Sequence, residues 1–297
     1  MESATTTAQR PGTPVRERGW APTVILCVAV LLAAGGVVVA RPLAAGASPG
    51  IHGRSKAVRR AQTVSEVTSP IAVSPNWSGY VSSAPSVNDG SFNQVSAEWT
   101  EPRVTCPRKN AWTLFWVGFD GWPATDGTVE QGGTSARCLN GVAQYSAFYE
   151  MWPTQAVTTT FPINALDTIE ASVAYSSSTG VFTITVTDVT TGASRTEYPT
   201  CPTSCSRTSA EWIAESPSHF GTDSWFPLAD YGTVRFTSAT ATNDQGASGP
   251  ISFTPTWSAS GIERRAGGAK PKAEVSALWN AGTTSTFSDT WQPSRGR

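Results

Sequence analysis

The sequence predicts an all-β protein whose main body is an antiparallel β-sandwich, with two packed sheets in a jelly-roll-like arrangement. Only 14% of the 297 residues are charged, and the chain contains 26 Gly and 21 Pro beside many Thr and Ser, a composition that disfavours long helices. Between residues 76 and 260 no apolar run keeps a helical period, and strands do not alternate regularly with helices. A single large β domain therefore explains the pattern best.

Six segments of this region are rich in β-branched and aromatic residues and are bounded by Gly, Pro, Asn or Asp, which predicts strands. In chain order they lie at 93–104, 111–120, 141–153, 167–192, 208–217 and 231–242. Within the fourth, the sequences SSSTG and VTTG predict hairpin turns. We predict a Gly- and Lys-rich surface loop at 261–274 and a last strand at 285–291.

The N-terminal region predicts export. Arg16 and Arg18 precede an uncharged apolar run at 20–40, and small residues follow it near Ala45 and Ala47. Residues 1–47 are therefore predicted to be a signal peptide or, because the run is almost long enough to span a bilayer, an N-terminal membrane anchor. The chain would meet a membrane only if this segment is retained.

Charge divides the chain near residue 70. Residues 1–70 carry 8 Lys and Arg against 3 Asp and Glu, and residues 71–297 carry 13 against 19, which gives +5 and −6. We predict that residues 48–70 are a basic pro-segment, which covers an acidic cleft until its removal, or a solvated linker, and that 71–297 form the catalytic sandwich.

The cysteines agree with an oxidising compartment. Outside the apolar run the chain has four, Cys106, Cys138, Cys201 and Cys205, which allow three pairings. The short turn CPTSC favours pairing within 201–205, which leaves the other two for each other. A zinc site is a weaker interpretation, since no Cys-x-x-Cys pair is present.

The sequence lacks the residues that several classes of enzyme need for catalysis. The chain has two histidines, His52 and His219, and its Gly-x-Ser-x-Gly match at 46–50 lies in the leader, so a Ser-His-Asp hydrolase is not indicated. No His-Glu-x-x-His or phosphate-binding glycine motif occurs. The acidic body disfavours nucleic acid as a partner. We expect no metal and no cofactor.

Carboxylate and amide side chains instead occur beside aromatic residues. Strand alternation places Trp116 and Asp120 on one face, and the Gly-rich stretch after them contains Glu130 and Gln131 in a predicted loop.

Two further stretches repeat this combination. Glu150 shares a strand face with Phe148 and Trp152, which suggests the floor of a groove rather than a solvated surface. In TSAEWIAESP, Glu211 and Glu215 fall on one face, and neither face of that strand is typical of solvent exposure.

Over about residues 74–257 the chain resembles the glutamic peptidases, also called eqolisins. Six motifs occur in the order and approximate spacing of that family: NWSGY (76–80), WVGFDG (116–121), EQGG (130–133), YSAFYEMWP (145–153), AEWIAE (210–215) and LADYGTVRFT (228–237). The resemblance implies two long antiparallel sheets with a concave substrate groove. It also implies that Gln131 and Glu211 are the catalytic pair.

The resemblance further suggests which residues bind substrate, although core packing is an equal alternative for each: Trp77, Trp116, Asp120, Glu150 and Trp152. The chain departs from the family where Ser146 replaces an expected acidic residue. This difference affects the expected substrate preference and pH optimum more than the reaction.

These observations predict an exported, acid-acting glutamic endopeptidase that cleaves polypeptides and acts as a monomer. A glutamate with an ordinary pKa of about 4.3 can deprotonate water in mildly acidic solution, and a glutamine amide can donate to an oxyanion. The alternative is a carbohydrate-active sandwich, either a glycoside hydrolase with two carboxylates or a binding module that stacks tryptophans on sugars.

Overall fold

The computed structural model describes residues 63–84, 91–123, 127–219, 222, 224–265 and 270–293. The predicted signal peptide or anchor, and most of the predicted basic segment, lie outside these residues. In the described part of the chain, no helix is long and apolar enough to cross a membrane.

Eighteen strands make up the described secondary structure, as the composition predicts. They are β1 Val64–Val67, β2 Ile71–Ser74, β3 Trp77–Ser83, β4 Phe92–Thr100, β5 Ala111–Phe119, β6 Val129–Leu139, β7 Val142–Trp152, β8 Val157–Pro162, β9 Thr168–Ser176, β10 Val181–Asp188, β11 Ala193–Glu197, β12 Ser209–Glu215, β13 Thr233–Asn243, β14 Ser248–Gly249, β15 Ser258–Arg264, β16 Ala273–Val275, β17 Leu278–Ala281 and β18 Thr284–Trp291.

The strands form one hydrogen-bonded sheet that curls into two layers. The front sheet has the order β2-β15-β3-β12-β5-β6-β7-β8, and the back sheet has the order β1-β17-β18-β13-β4-β9-β10-β11. The short β16 joins them, because it pairs with β15 on one side and β18 on the other. Only β2 and β15 run parallel among the strand pairs described. The predicted all-β sandwich is confirmed.

The main core fills the space between the two sheets. Alternate side chains of the front sheet, such as Phe115, Val117 and Trp212, pack with back-sheet residues such as Ile184 and Phe236. The intervening front-sheet side chains point away from the back sheet and form a second apolar cluster on the outer face. We call this outer face of the front sheet, which carries Leu114, Trp116 and Ile213, the dyad face, after the predicted catalytic pair.

Local predictions agree with the structure in most places. The hairpins join β9 to β10 and β10 to β11, and the disulfides join Cys106 to Cys138 and Cys201 to Cys205, which are the favoured pairings. The loop predicted at 261–274 is wrong at both ends, since β15 continues through Arg264 and β16 begins at Ala273.

Candidate active site

A single row of paired residues crosses five neighbouring strands of the front sheet. In register it runs Val81, Glu211, Gly118, Gln131, Glu150 along β3, β12, β5, β6 and β7. Residues directly opposite each other in paired strands point to the same face of a sheet. The row therefore brings the two predicted catalytic side chains together on the dyad face, with one strand between them.

Gly118 occupies the position between Glu211 and Gln131. The backbones on either side of it are about 10 Å apart, since neighbouring strands are about 4.8 Å apart. A Cβ atom at Gly118 would lie 3.0 Å from Cβ of Gln131, 3.1 Å from the Trp116 ring and 2.6 Å from the backbone oxygen of Glu130. With no side chain at Gly118, the Trp116 ring and Gln131 pack closely over this position, and the predicted acid–base group and the predicted amide lie on either side of it.

Gln131 lies within strand β6, so the predicted Gly-rich loop is wrong. Gly132 and Gly133, which suggested a loop, serve close packing instead. A Cβ atom at Gly132 would lie 2.4 Å from the Ile184 side chain, and one at Gly133 would lie 2.7 Å from Cα of Trp116. Gly132 lets β6 pack against the core, and Gly133 lets it approach the backbone of β5.

The amide of Gln131 is held by a neighbouring carboxyl group. Its Nε2 donates a hydrogen bond of 2.8 Å to Oε2 of Glu150, and no group among the described residues donates to its Oε1. Burial, and next the neighbouring Glu215, raise the pKa of Glu150 to about 8. Glu150 is therefore protonated in acidic solution.

Glu211 is fully buried on the dyad face, between Val81 and Gly118. Every residue of β12 is buried. One face of the strand packs in the main core, and the other packs among the neighbouring side chains of the dyad face. Trp212 fixes the core face, since its indole Nε1 donates to the backbone oxygen of Ser96 at 2.9 Å.

A second carboxyl group organises the tryptophans of this face. Oε2 of Glu215 accepts a hydrogen bond of 2.8 Å from the Trp116 indole, and its Oε1 accepts one of 3.2 Å from Nδ2 of Asn76. Trp116 meets Trp77 edge to face, with ring centroids 5.0 Å apart. Burial raises the pKa of Glu215 to about 7, although the hydrogen bonds from Trp116 and Asn76 oppose the shift.

Most of the predicted substrate-binding side chains lie near this row. Trp77 and Trp116 are buried in the outer cluster, and Trp152 packs against that cluster, partly exposed, one row beyond Glu150. Trp116 has no exposed surface, so its position is explained by packing within the outer cluster.

Asp120 lies apart from the other predicted site residues. It follows the end of β5 with a φ of 65°, and its carboxylate accepts hydrogen bonds from the backbone N–H groups of Arg207 and Thr208 at 2.7 and 2.9 Å. On the core side it faces Glu130, whose pKa is raised to about 9 by burial and next by the charge of Asp120. This pair connects the end of β5 with β6 and the start of β12.

Comparison with known proteins agrees with this geometry. A sequence model of the peptidase A4 family matches residues 75–265, which is more than half of the chain. The chain belongs to this family, the glutamic peptidases. Glutamic peptidases are endopeptidases, so the chain is a peptide-bond hydrolase.

Individual members of the family show the same relationship. Aspergillopepsin-2 of Aspergillus niger is 31% identical over 209 residues, which make up 61% of this chain and 69% of that protein. The crystal structure of scytalido-glutamic peptidase with a transition state analog inhibitor matches with a TM-score of 0.61 and 25% identity, covering 74% of this chain and 100% of that chain. Aspergilloglutamic peptidase from Aspergillus niger matches with a TM-score of 0.52 and 27% identity, covering 61% and 99%.

Sequence reasoning missed two residues that shape this glutamic peptidase site. Gly118 lies midway between Trp116 and Asp120 in WVGFDG, and the same strand alternation that paired those two residues also places it on their face. Strand alternation places Glu215 on the face of Glu211 but indicates no role for it. Only the register of β12 with β3 and β5 shows that it receives the Trp116 and Asn76 hydrogen bonds.

Proposed function

We propose that this chain is an exported, acid-acting glutamic endopeptidase whose catalytic pair is Gln131 and Glu211. The observation that carries the proposal is the row in which Gly118 separates these two side chains on one face. With only a glycine between them, the two side chains are close enough to act on one scissile peptide group and its attacking water.

The reaction follows from the chemistry of the two side chains. Ionised Glu211 takes a proton from water, and the water oxygen attacks the carbonyl carbon of the scissile bond. The amide N–H of Gln131 donates to the oxyanion that forms. Glu211 then returns its proton to the peptide nitrogen, the C–N bond breaks and the amine leaves. The unpartnered Oε1 of Gln131 can accept a hydrogen bond from the attacking water.

The carboxyl groups around the pair support acid action. Glu150 and Glu215, with pKa values of about 8 and 7, are neutral in acidic solution, so they add no negative charge beside Glu211 there. As the pH rises through 7 to 8, both neighbours ionise and add negative charge close to Glu211 and to the oxyanion. Like charges in a buried site repel strongly, so the proposed activity declines over this range.

Export is supported by the two disulfides, which are typical of proteins in oxidising compartments. The predicted signal peptide or anchor at 1–47 would direct it. For the predicted covering segment, 48–70, the structure restricts which residues could act. Val64–Val67 form β1 and pair with β17 of the back sheet, so a cover for the dyad face would come from the basic stretch before β1.

The carbohydrate-active alternative is not favoured. A glycoside hydrolase needs a pair of carboxyl groups and gives no role to Gln131, and a binding module needs no buried pair at all. The family membership also favours peptide hydrolysis.

Digestion of a denatured protein by the purified chain, lacking residues 1–62, tests the proposal. We expect internal peptide bonds to be cleaved between about pH 3 and 6, and the rate to decline toward pH 8, as read by mass spectrometry of the products. Release of sugar from polysaccharides without any protein cleavage would contradict the proposal and favour the alternative.

A further inference from the structure

A cationic side chain extends the dyad face beyond the catalytic row. Arg137 lies on β6 six residues after Gln131, and strand alternation places both on the same face. Its neighbours across the sheet are Trp112 on β5 and Gln144 on β7. At about 3.3 Å per residue, Arg137 lies about 20 Å along β6 from the catalytic amide.

The guanidinium group is held by a fixed aromatic ring. Its central carbon lies 5.0 Å from the centroid of the Trp112 ring. That ring is itself fixed, because its Nε1 donates a 2.6 Å hydrogen bond to Oγ of Ser135 and it packs against Phe226, at a centroid distance of 5.0 Å. Stacking uses the plane of a guanidinium and leaves the N–H donors at its edge for other partners.

Arg137 has no acidic partner in the described part of the chain. The ion pairs there join Arg195 to Glu197, Arg207 to Asp244 and Arg265 to Glu263. An oriented but uncompensated cation on the active face of a body that is otherwise acidic is suited to an anionic group that comes from outside the chain.

We propose that Arg137, supported by Trp112, is a substrate subsite that binds a carboxylate about six residues from the scissile bond. This inference rests on the proposed peptidase function and on an extended substrate that runs along β6, since such a chain has the same rise per residue as the strand. The carboxylate is an Asp or Glu side chain or the C-terminus of the substrate. The guanidinium edge binds either one through two parallel N–H···O hydrogen bonds.

Matched peptides test the subsite at pH 5, where a glutamate side chain is mostly ionised. One series carries a single Glu, or a Gln in its place, four to eight residues from the cleaved bond on either side. A second series compares a free C-terminal carboxylate with an amide at the same distances. The two series distinguish the two sources of the carboxylate.

We expect the carboxylate peptide to have about threefold to tenfold higher kcat/KM than its neutral match near six residues, mainly through KM. Arg137→Gln should remove this preference while neutral peptides are cleaved as before. The control Arg235→Gln changes an exposed arginine on β13 of the back sheet and should keep the preference.

Cleavage without any difference between matched peptides, or a preference that survives in Arg137→Gln, would overturn the subsite and leave the proposed function standing. If the wild-type chain cleaved no peptide at all, the proposed function would be wrong and the subsite with it.

Discussion

The proposed chemistry requires both the donors and the acceptor of the Gln131 amide. An amide has two N–H donors and one carbonyl acceptor. One N–H is used by Glu150, and the carbonyl receives no hydrogen bond from the described residues. The second N–H and the carbonyl are therefore the groups left for an oxyanion and a water.

Two substitutions at Gln131 distinguish its roles. Gln131→Ala removes the oxyanion donor, so we expect kcat to fall by about a hundredfold or more, equivalent to about 3 kcal/mol of transition-state stabilisation. Gln131→Glu can donate only while protonated, so its residual activity should shift to lower pH. A pH–rate profile of both variants checks this. Full activity of Gln131→Ala would remove Gln131 from the mechanism.

Gly118 is predicted to be sensitive to substitution, although it has no side chain and takes no part in the chemistry. Gly118→Ala would place a methyl group 3.0 Å from Cβ of Gln131 and 2.6 Å from a backbone oxygen that cannot move freely. We expect a loss of activity of more than tenfold and a destabilisation of about 1–3 kcal/mol, measured by peptide cleavage and urea unfolding.

The matched control is Gly261→Ala on β15. The added methyl group would approach the end of the Ile71 side chain, which is half exposed and can move aside. This variant should keep its activity. If Gly118→Ala were as active as Gly261→Ala, the close packing at Gly118 between the pair would have no catalytic importance.

At the scale of elements, strand alternation predicted which side chains share a face, but could not predict register. The placement of Glu211 with Glu215 on β12 needed only the two-residue period. Bringing Glu211 into one row with Gln131 required the pairing of β5 with β6 and of β12 with β5. The β12–β5 pairing joins segments more than 90 residues apart in sequence. Long-range pairing of this kind is set by packing of the whole core rather than by local pattern.

Asp120 illustrates where alternation fails. The period that placed it beside Trp116 ends at Phe119, because β5 ends there and Asp120 adopts a left-handed backbone conformation. The prediction made from Gly132 and Gly133 was wrong for a different reason. They suggested a loop, although close contacts across the sheet require glycine there within a strand.

The contact between β5, β6 and β12 near Asp120 should depend on pH. Glu130 has a folded pKa of about 9, above the ordinary 4.5. The folded state therefore keeps this proton from about pH 5 upward while the unfolded chain releases it, and the stabilisation is lost as pH rises through 9.

Glu130→Gln keeps the neutral shape and has no proton to lose. We expect activity in acid close to that of the wild type, and unfolding at a higher pH, measured by circular dichroism between pH 6 and 10. Glu170→Gln, an exposed change on β9, should leave the midpoint unchanged. An unchanged midpoint in Glu130→Gln would show that this carboxyl does not limit alkaline stability.

For the whole molecule, five carboxyl groups predict the direction of pH dependence, and all but the partly buried Glu150 are buried. Burial is the first cause of a raised pKa for each of them: Glu101, Glu215 and Asp289 to about 7, Glu150 to about 8 and Glu130 to about 9. They lie in both sheets, so the effect is not confined to the active site.

Because these pKa values are raised on folding, the folded state binds more protons than the unfolded chain between about pH 5 and 9. The free energy of unfolding should therefore be highest in mildly acidic solution and fall continuously toward pH 9. Urea titrations at a series of pH values measure it. A free energy of unfolding that rises from pH 5 to 9 would contradict this distribution of buried acids.

The central claim, that Glu211 is the base of a Gln–Glu pair, is tested most directly by the rate of peptide cleavage by Glu211→Gln. The substitution keeps the size and hydrogen-bonding capacity of the side chain but removes the group that takes the proton from water. We predict that kcat/KM falls by several orders of magnitude, with an unchanged circular dichroism spectrum and with the control Glu170→Gln fully active. Cleavage at the wild-type rate by folded Glu211→Gln would contradict the account.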